Sequence, residues 1–135
     1  MGISMRMAVL LLSIIGWGHA WGIDAQGRFL MRGLGTTPCR AFLVEASGLD
    51  RFKYETWLGG YFSGLNTTMP DTYDIGGMGL NAIGQGLDWI REYCQRNPHN
   101  KMGDGAQALV ESLSPTRQRN PPPEQLPSTR HPRAK

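Results

Sequence analysis

The stretch YETWLGGYFSGLN, residues 54–66, contains three glycines, four aromatic residues and no proline. Each glycine inside a helix costs about 1 kcal/mol relative to alanine, so the segment is either a loop or a helix that needs a smooth side. At 100° per residue, its large apolar side chains fall within a sector of about 140°, and its small residues fall in the opposite sector. The pattern predicts a helix with one aromatic face and one face that is nearly free of side chains.

The smooth face of this predicted helix consists of Gly59, Gly60, Ser63 and Gly64. We expect it either to pack closely against a second helix or to accept the backbone of a partner protein. The aromatic side chains have two interpretations as well, because they fit either a core or an exposed apolar surface for ligands and client proteins. These aromatic candidates are Trp57, Tyr61, Phe62 and Trp89.

Three further helices are predicted around this segment. TTPCRAFLVEASG, residues 36–48, carries an apolar stripe that starts at Cys39 and has Thr37 as its expected N-cap. LNAIGQGLDWIREYCQRN, residues 80–97, spaces its apolar residues alternately by three and four. NKMGDGAQALVESL, residues 100–113, forms a shorter amphipathic helix. Because no strand-like alternation is present, we expect an all-α, four-helix domain over residues 36–113.

The sequence contains two cysteines, Cys39 and Cys94, and each lies on the apolar stripe of its helix. An even cysteine count in an exported chain indicates a disulfide, whereas two free thiols are the alternative. A bridge would close a loop of about 55 residues and stabilise the fold by roughly 4 kcal/mol at most in the chain-entropy model.

The first 20 residues have the organisation of a secretory signal peptide. Arg6 precedes an apolar run at 7–16, and small residues stand at Gly18 and Ala20, where a signal peptidase reads. We expect cleavage after Ala20 and a periplasmic protein. An uncleaved anchor is the alternative, although the apolar run is shorter than the roughly 20 residues that span a bilayer. No later segment is expected to cross a membrane, and residues 21–35 form a lead-in that docks through Phe29 and Leu30.

The C-terminal segment, residues 114–135, is rich in proline and carries five basic residues and one acidic residue, whereas residues 36–113 hold six basic and nine acidic residues. The composition predicts a disordered basic tail on a mildly acidic domain. A nucleic-acid site requires a basic patch with interleaved aromatic residues, and the tail has no aromatic residue. We therefore expect no nucleic-acid partner.

The sequence lacks the convergent groups that an enzyme needs. His99 stands beside Pro98 in a predicted turn, where a solvated side chain is more common than a general base. Asp71 and Asp74 lie in a loop without the alternating oxygen ligands of a calcium site. No paired CxxC, HExxH or phosphate-loop motif is present. We expect no catalytic residues, no metal and no cofactor.

Residues 93–113, YCQRNPHNKMGDGAQALVESL, together with the cysteine placement, resemble the HdeA/HdeB-type acid-resistance chaperones of the bacterial periplasm. The resemblance runs from Cys39 to about Leu113 and depends mainly on Tyr93-Cys94 and Asn97-Pro98. It implies a four-helix fold with one disulfide and a homodimer whose apolar surface is exposed by acid and then binds unfolding clients. WLGGYFSGLN and PDTYDIGG depart from the founding chaperones.

A weaker similarity links the chain to small periplasmic immunity proteins that neutralise type VI secretion effectors. It depends on the cysteine in the first helix and on Gly60-Tyr61 followed by Gly64. The sequence thus supports two functional expectations for an exported protein-binding protein. One is an acid-activated holdase, and the other is an immunity-type or structural protein that binds one specific partner.

Overall fold

The computed structural model describes residues 24, 26, 28–77 and 82–123. Its helices are α1 (Cys39–Glu45), α2 (Arg51–Thr68), α3 (Ala82–Arg96) and α4 (Met102–Leu113), with short 3₁₀ helices at Gly33–Thr36 and Ser114–Thr116. The predicted all-α, four-helix domain is confirmed. The predicted signal peptide and the tail beyond Pro123 lie outside the described residues.

The disulfide between Cys39 and Cys94 is present, with the two Cα atoms 5.0 Å apart. It joins the first residue of α1 to the last turn of α3, and both cysteines are fully buried. The core around it is formed by all four helices and by Ile75 from the loop after α2. Its other large members are Phe42, Tyr54, Leu58, Phe62, Leu87, Ile90, Met102 and Leu109.

The start of α1 differs from the sequence prediction. Pro38, not Thr37, is the N-cap, and no side chain caps the helix. The reason lies in two backbone hydrogen bonds to the start of α4, since Cys39 N donates to Asn100 O and Met102 N donates to Thr37 O, each at 2.9 Å. These bonds hold Thr37 and Pro38 beside Lys101 in an isolated antiparallel bridge and bring the starts of α1 and α4 to the same end of the domain.

The lead-in segment docks on the domain, but not through the residues expected. Phe29 and Leu30 are 47% and 72% exposed. Instead, the 3₁₀ helix at Gly33–Thr36 packs on α2 and α4. Gly35 is buried beneath the Trp57 ring, where a Cβ atom would stand only 2.4 Å from a ring carbon. The Trp57 indole N–H also donates to Arg32 O at 3.1 Å. A tryptophan on α2 therefore anchors the lead-in.

Residues 114–123, which were predicted to belong to the disordered tail, pack against the loop that follows α2. Gln118 N donates to Asp74 O at 2.9 Å, which closes an isolated antiparallel bridge. Arg117 and Arg119 both form ion pairs with Asp71, and Pro122 is buried. The packed domain therefore extends to Pro122, because two arginines of the predicted tail meet a carboxylate in a loop that is distant in the sequence.

None of the described helices is long and apolar enough to cross a membrane.

A candidate protein-binding surface

The smooth face predicted for α2 exists, and it is open to solvent. Gly60, Ser63 and Gly64 are exposed, and Gly59 is half-buried. A Cβ atom added at any of the three glycines would meet no atom of the described chain within 4 Å. The expectation that a second helix packs closely on this face is therefore wrong for the part of the chain that the structure describes. The alternative, a surface for a partner, remains.

Close helix packing occurs at other glycines, which the helical patterns of the sequence did not single out. A Cβ at Gly103 would stand 2.6 Å from Gly35 O, and one at Gly105 would stand 2.9 Å from the Tyr93 ring. A Cβ at Gly86 of α3 would lie within 3.3 Å of leucine side chains from both α2 and α4. The small residues that let the helices approach therefore belong to α3, α4 and the lead-in.

The open face of α2 also lacks charge. No charged residue occurs between Thr56 and Pro70. The hydroxyl groups on this stretch are directed toward the helix itself, since Thr56 donates to Phe52 O at 2.8 Å and Ser63 donates to Gly59 O at 2.7 Å. Thr67 and Thr68 both donate to Gly64 O at 2.8 Å. The face therefore presents backbone and methyl groups, with its hydroxyl protons already committed.

Three large apolar side chains at or shortly before the start of α2 in the sequence are exposed. Leu49 is fully exposed, and Val44 and Phe52 are 74% and 73% exposed. At 100° per residue, Phe52 lies on the same side of α2 as Thr56, Gly59 and Ser63. We call Val44, Leu49, Phe52 and the smooth face together the α2 surface. Exposed apolar side chains that form a contiguous patch are typical of protein interaction sites, and Phe52 places one such side chain on the smooth side of α2.

The aromatic candidates lie on the opposite side of α2 and on α3, in or against the core. Phe62 is 3% exposed. Trp57 stacks on Tyr61 with the ring centroids 5.4 Å apart, and Trp89 stacks on Tyr93 at 6.2 Å. Trp57, Tyr61 and Trp89 are half-buried and pack against the core. Of the two interpretations of these aromatic residues, the structure supports the core.

A charged junction holds the N-terminal end of α2 against α3. Arg51 Nε donates to Glu55 at 2.8 Å, while its two terminal nitrogens donate to Asp88 at 2.8 Å and to Gly84 O at 3.1 Å. The hydrogen bond from Arg51 holds the pKa of Asp88 below its usual value and raises the pKa of Arg51. This junction positions the N-terminal end of α2, and its contact with α3 requires the ionised form of Asp88.

Tyr54 makes a second polar contact between α1 and α2, donating its hydroxyl proton to Glu45 at 2.5 Å. Burial raises the pKa of Tyr54, and the hydrogen bond to Glu45 adds to that effect. The ring of Tyr54 packs edge-on against Phe42 with the ring centroids 5.0 Å apart. Tyr54 therefore ties the end of α1, which carries Val44, and the connection that follows, which carries Leu49, to the core.

The polar residues considered for chemistry do not converge. His99 is exposed in the turn before α4. Asp71 is engaged with Arg117 and Arg119, and Asp74 accepts the Gly76 N–H at 3.0 Å, as a turn residue does. Within the described residues, no group of three or more His, Cys, Asp or Glu side chains is placed to hold a metal ion.

Comparison with known proteins found no matching family model, no matching curated protein and no matching solved structure. The class that the fold defines is therefore stated from the structure itself. The chain is an all-α domain closed by one disulfide, and it presents one uncharged, side-chain-poor helix face.

Proposed function

We propose that this chain is a non-enzymatic protein-binding protein of the bacterial periplasm, and that its α2 surface binds one specific partner near neutral pH. The observation that carries the proposal is the open face of α2. It combines three glycines, a 15-residue stretch without charge and internally bonded hydroxyl groups. The resemblance of Gly60-Tyr61 and Gly64 to immunity proteins points in the same direction.

The physical reason is the free energy that exposed glycines cost a helix. Each exposed glycine in α2 destabilises the helix by about 0.8–1 kcal/mol relative to alanine, and packing within the domain does not require it. The absence of Cβ atoms allows a partner backbone to approach closely. The exposed Leu49 and Phe52 supply apolar area at one end of the same surface, and burying such side chains stabilises a complex by roughly 1.5–3 kcal/mol each.

The experiment compares partner capture by matched variants. The chain without residues 1–20, with its disulfide intact, is immobilised at pH 7 and exposed to periplasmic extract of its native host. Gly60→Arg with Gly64→Arg places two long side chains on the smooth face, where a Cβ has free space. Gln85→Arg with Ser112→Arg adds the same charge at exposed sites on α3 and α4.

We expect the wild type and the α3/α4 control to retain one stoichiometric protein that the α2 variant loses. Equal retention by all three proteins would reject the α2 surface as the binding site, and an absence of any stoichiometric protein would reject the neutral-pH partner.

A second candidate function is an acid-activated holdase of HdeA/HdeB type that forms a homodimer. The charged junction at Arg51 supports it, because Asp88 must be ionised for its ion pair with Arg51 to hold the α2 end against α3. Because the contact with Arg51 lowers the pKa of Asp88, this ion pair is lost as the pH falls through that lowered value. The domain and tail would then carry a large positive charge, and self-repulsion would loosen the contacts outside the disulfide.

The holdase candidate is tested by the aggregation of an acid-labile client at pH 2–3, with and without an equimolar amount of the chain without residues 1–20, which we call the processed chain. Suppressed light scattering, together with a dimer at pH 7 that dissociates on acidification, is the expected result. Unchanged aggregation at equimolar or higher ratios would remove this candidate and leave the neutral-pH partner.

A further inference from the structure

Basic and acidic side chains predominate at different ends of the domain. At the end where α1 and α4 begin and α3 finishes, the described residues of 24–40 and 96–104 hold five basic and two acidic side chains. At the α1–α2 connection, residues 45–55 and 84–88 hold four acidic and two basic side chains. All five side chains of the basic end are exposed. They are Arg28, Arg32, Arg40, Arg96 and Lys101.

Most of this positive charge has no internal counterion. Among the described residues, only Arg28 of the five is in an ion pair, and its partner is the exposed Asp24. The second acid of this end, Asp104, accepts the Lys101 backbone N–H at 2.8 Å and so caps α4. The basic end therefore projects a net positive field that attracts an anionic partner.

A cleft of about 460 Å³ opens at the basic end, between the lead-in and the first turns of α4. Arg28, Lys101 and Asp104 line it, and so do Phe29 and Leu30, the two apolar side chains that the lead-in leaves exposed. Gly103, at the bottom, has no side chain because Gly35 O occupies the space where a Cβ would stand. The cleft thus joins apolar walls to two cations and to one carboxylate, that of Asp104, which already accepts the Lys101 backbone N–H, and its volume is within the size range of ligand sites.

We propose that this cleft binds an acidic segment of a partner polypeptide that carries a large apolar side chain. The apolar side chain enters between Phe29 and Leu30, and the flanking carboxylates meet Arg28 and Lys101. A concave site fits a protruding side chain better than a flat lipid surface. The site uses residues other than those of the α2 surface, so it goes beyond the function proposed above and does not depend on it.

The test uses a fluorescein-labelled peptide of alternating glutamate and leucine, and a second peptide with glutamine in place of glutamate. Binding to the processed chain is followed by fluorescence anisotropy at pH 7 and low salt. Arg28→Gln with Lys101→Gln removes both cations of the cleft. Lys53→Gln with Arg119→Gln removes two exposed cations elsewhere and serves as the matched control.

We expect the acidic peptide to bind the wild type, with a dissociation constant at least tenfold higher for the cleft variant and changed less than twofold for the control. Phe29→Ser with Leu30→Ser should weaken binding at least threefold, because it removes the apolar walls and leaves the charges. The Gly60→Arg, Gly64→Arg variant should bind as the wild type does, which separates this site from the α2 surface.

Three results would overturn the proposal. The first is equal affinity of the glutamate and glutamine peptides, and the second is an equal loss of affinity in the cleft and control variants. The third is a failure of the peptide to bind while vesicles containing anionic lipid bind the wild type but not the cleft variant. That last result would assign the basic end to a membrane surface.

Discussion

Replacing the three glycines of the α2 surface with alanine should stabilise the protein. At Gly59, Gly60 and Gly64 an added Cβ meets no described atom within 4 Å, so packing strain does not oppose the gain in helix propensity. Each change contributes about 0.8–1 kcal/mol, and the triple variant gains about 2–3 kcal/mol. For a domain of this size, the melting temperature should rise by roughly 10–20 °C.

Far-UV circular dichroism during heating, with the disulfide intact, measures this change, and urea unfolding gives the free energy directly. The matched control is Gly103→Ala, where the new Cβ would lie 2.6 Å from Gly35 O and 2.9 Å from Met31. Overpacking of this kind costs about 1–3 kcal/mol, so the control should melt below the wild type. If the triple variant is destabilised, the α2 face is packed inside the protein and our reasoning about an open surface fails.

Three further predictions concern the forces that hold the fold. Replacing Cys39 and Cys94 by alanine should lower the free energy of unfolding in urea by about 2–4 kcal/mol, and a loss under 1 kcal/mol would show that the bridge matters little. Because contact with Arg51 lowers the pKa of Asp88, that carboxylate stabilises the protein above its unfolded pKa, near 4, and the contribution disappears as the pH falls through the lower, folded value. Asp88→Asn should remove that part of the acid dependence, on the order of 0.5 kcal/mol for so exposed a pair. The same change of urea midpoint between pH 5 and pH 2 in the wild type and in the variant would contradict this prediction. The raised pKa of Tyr54 makes its contribution complete below about pH 10, and the contribution is lost as the pH rises through the higher, folded value. Burial also raises the pKa of Tyr61, so ultraviolet titration of Tyr54→Phe should show one late-ionising tyrosine where the wild type shows two.

The sequence predicted the helical architecture because its apolar spacing is strong. Residues 54–66 segregate aromatic and small side chains on a helical wheel, and α2 adopts that pattern. The disulfide followed from two cysteines on apolar stripes. These predictions rest on local periodicity, which a chain carries in neighbouring residues.

The sequence does not show which segment of the chain covers each face of a helix. Periodicity assigns Gly60 and Gly64 to one side of α2, but whether a helix covers that side depends on contacts between distant segments. Close packing occurs at Gly86 and Gly105 instead, and the sequence around these two glycines shows no clearer helical pattern than the sequence of α2 does. Likewise, composition assigns Arg117 and Arg119 to a basic tail, whereas in the structure both form ion pairs with Asp71.

The most direct test of the proposal that the α2 surface binds a partner is the stoichiometry of the captured protein for the Gly60→Arg, Gly64→Arg variant, measured beside its unfolding midpoint. We predict that the unfolding midpoint of this variant is at least as high as that of the wild type and that the variant retains no partner. A stable variant that still captures the same protein at one-to-one stoichiometry would contradict the assignment of the α2 surface as the binding site.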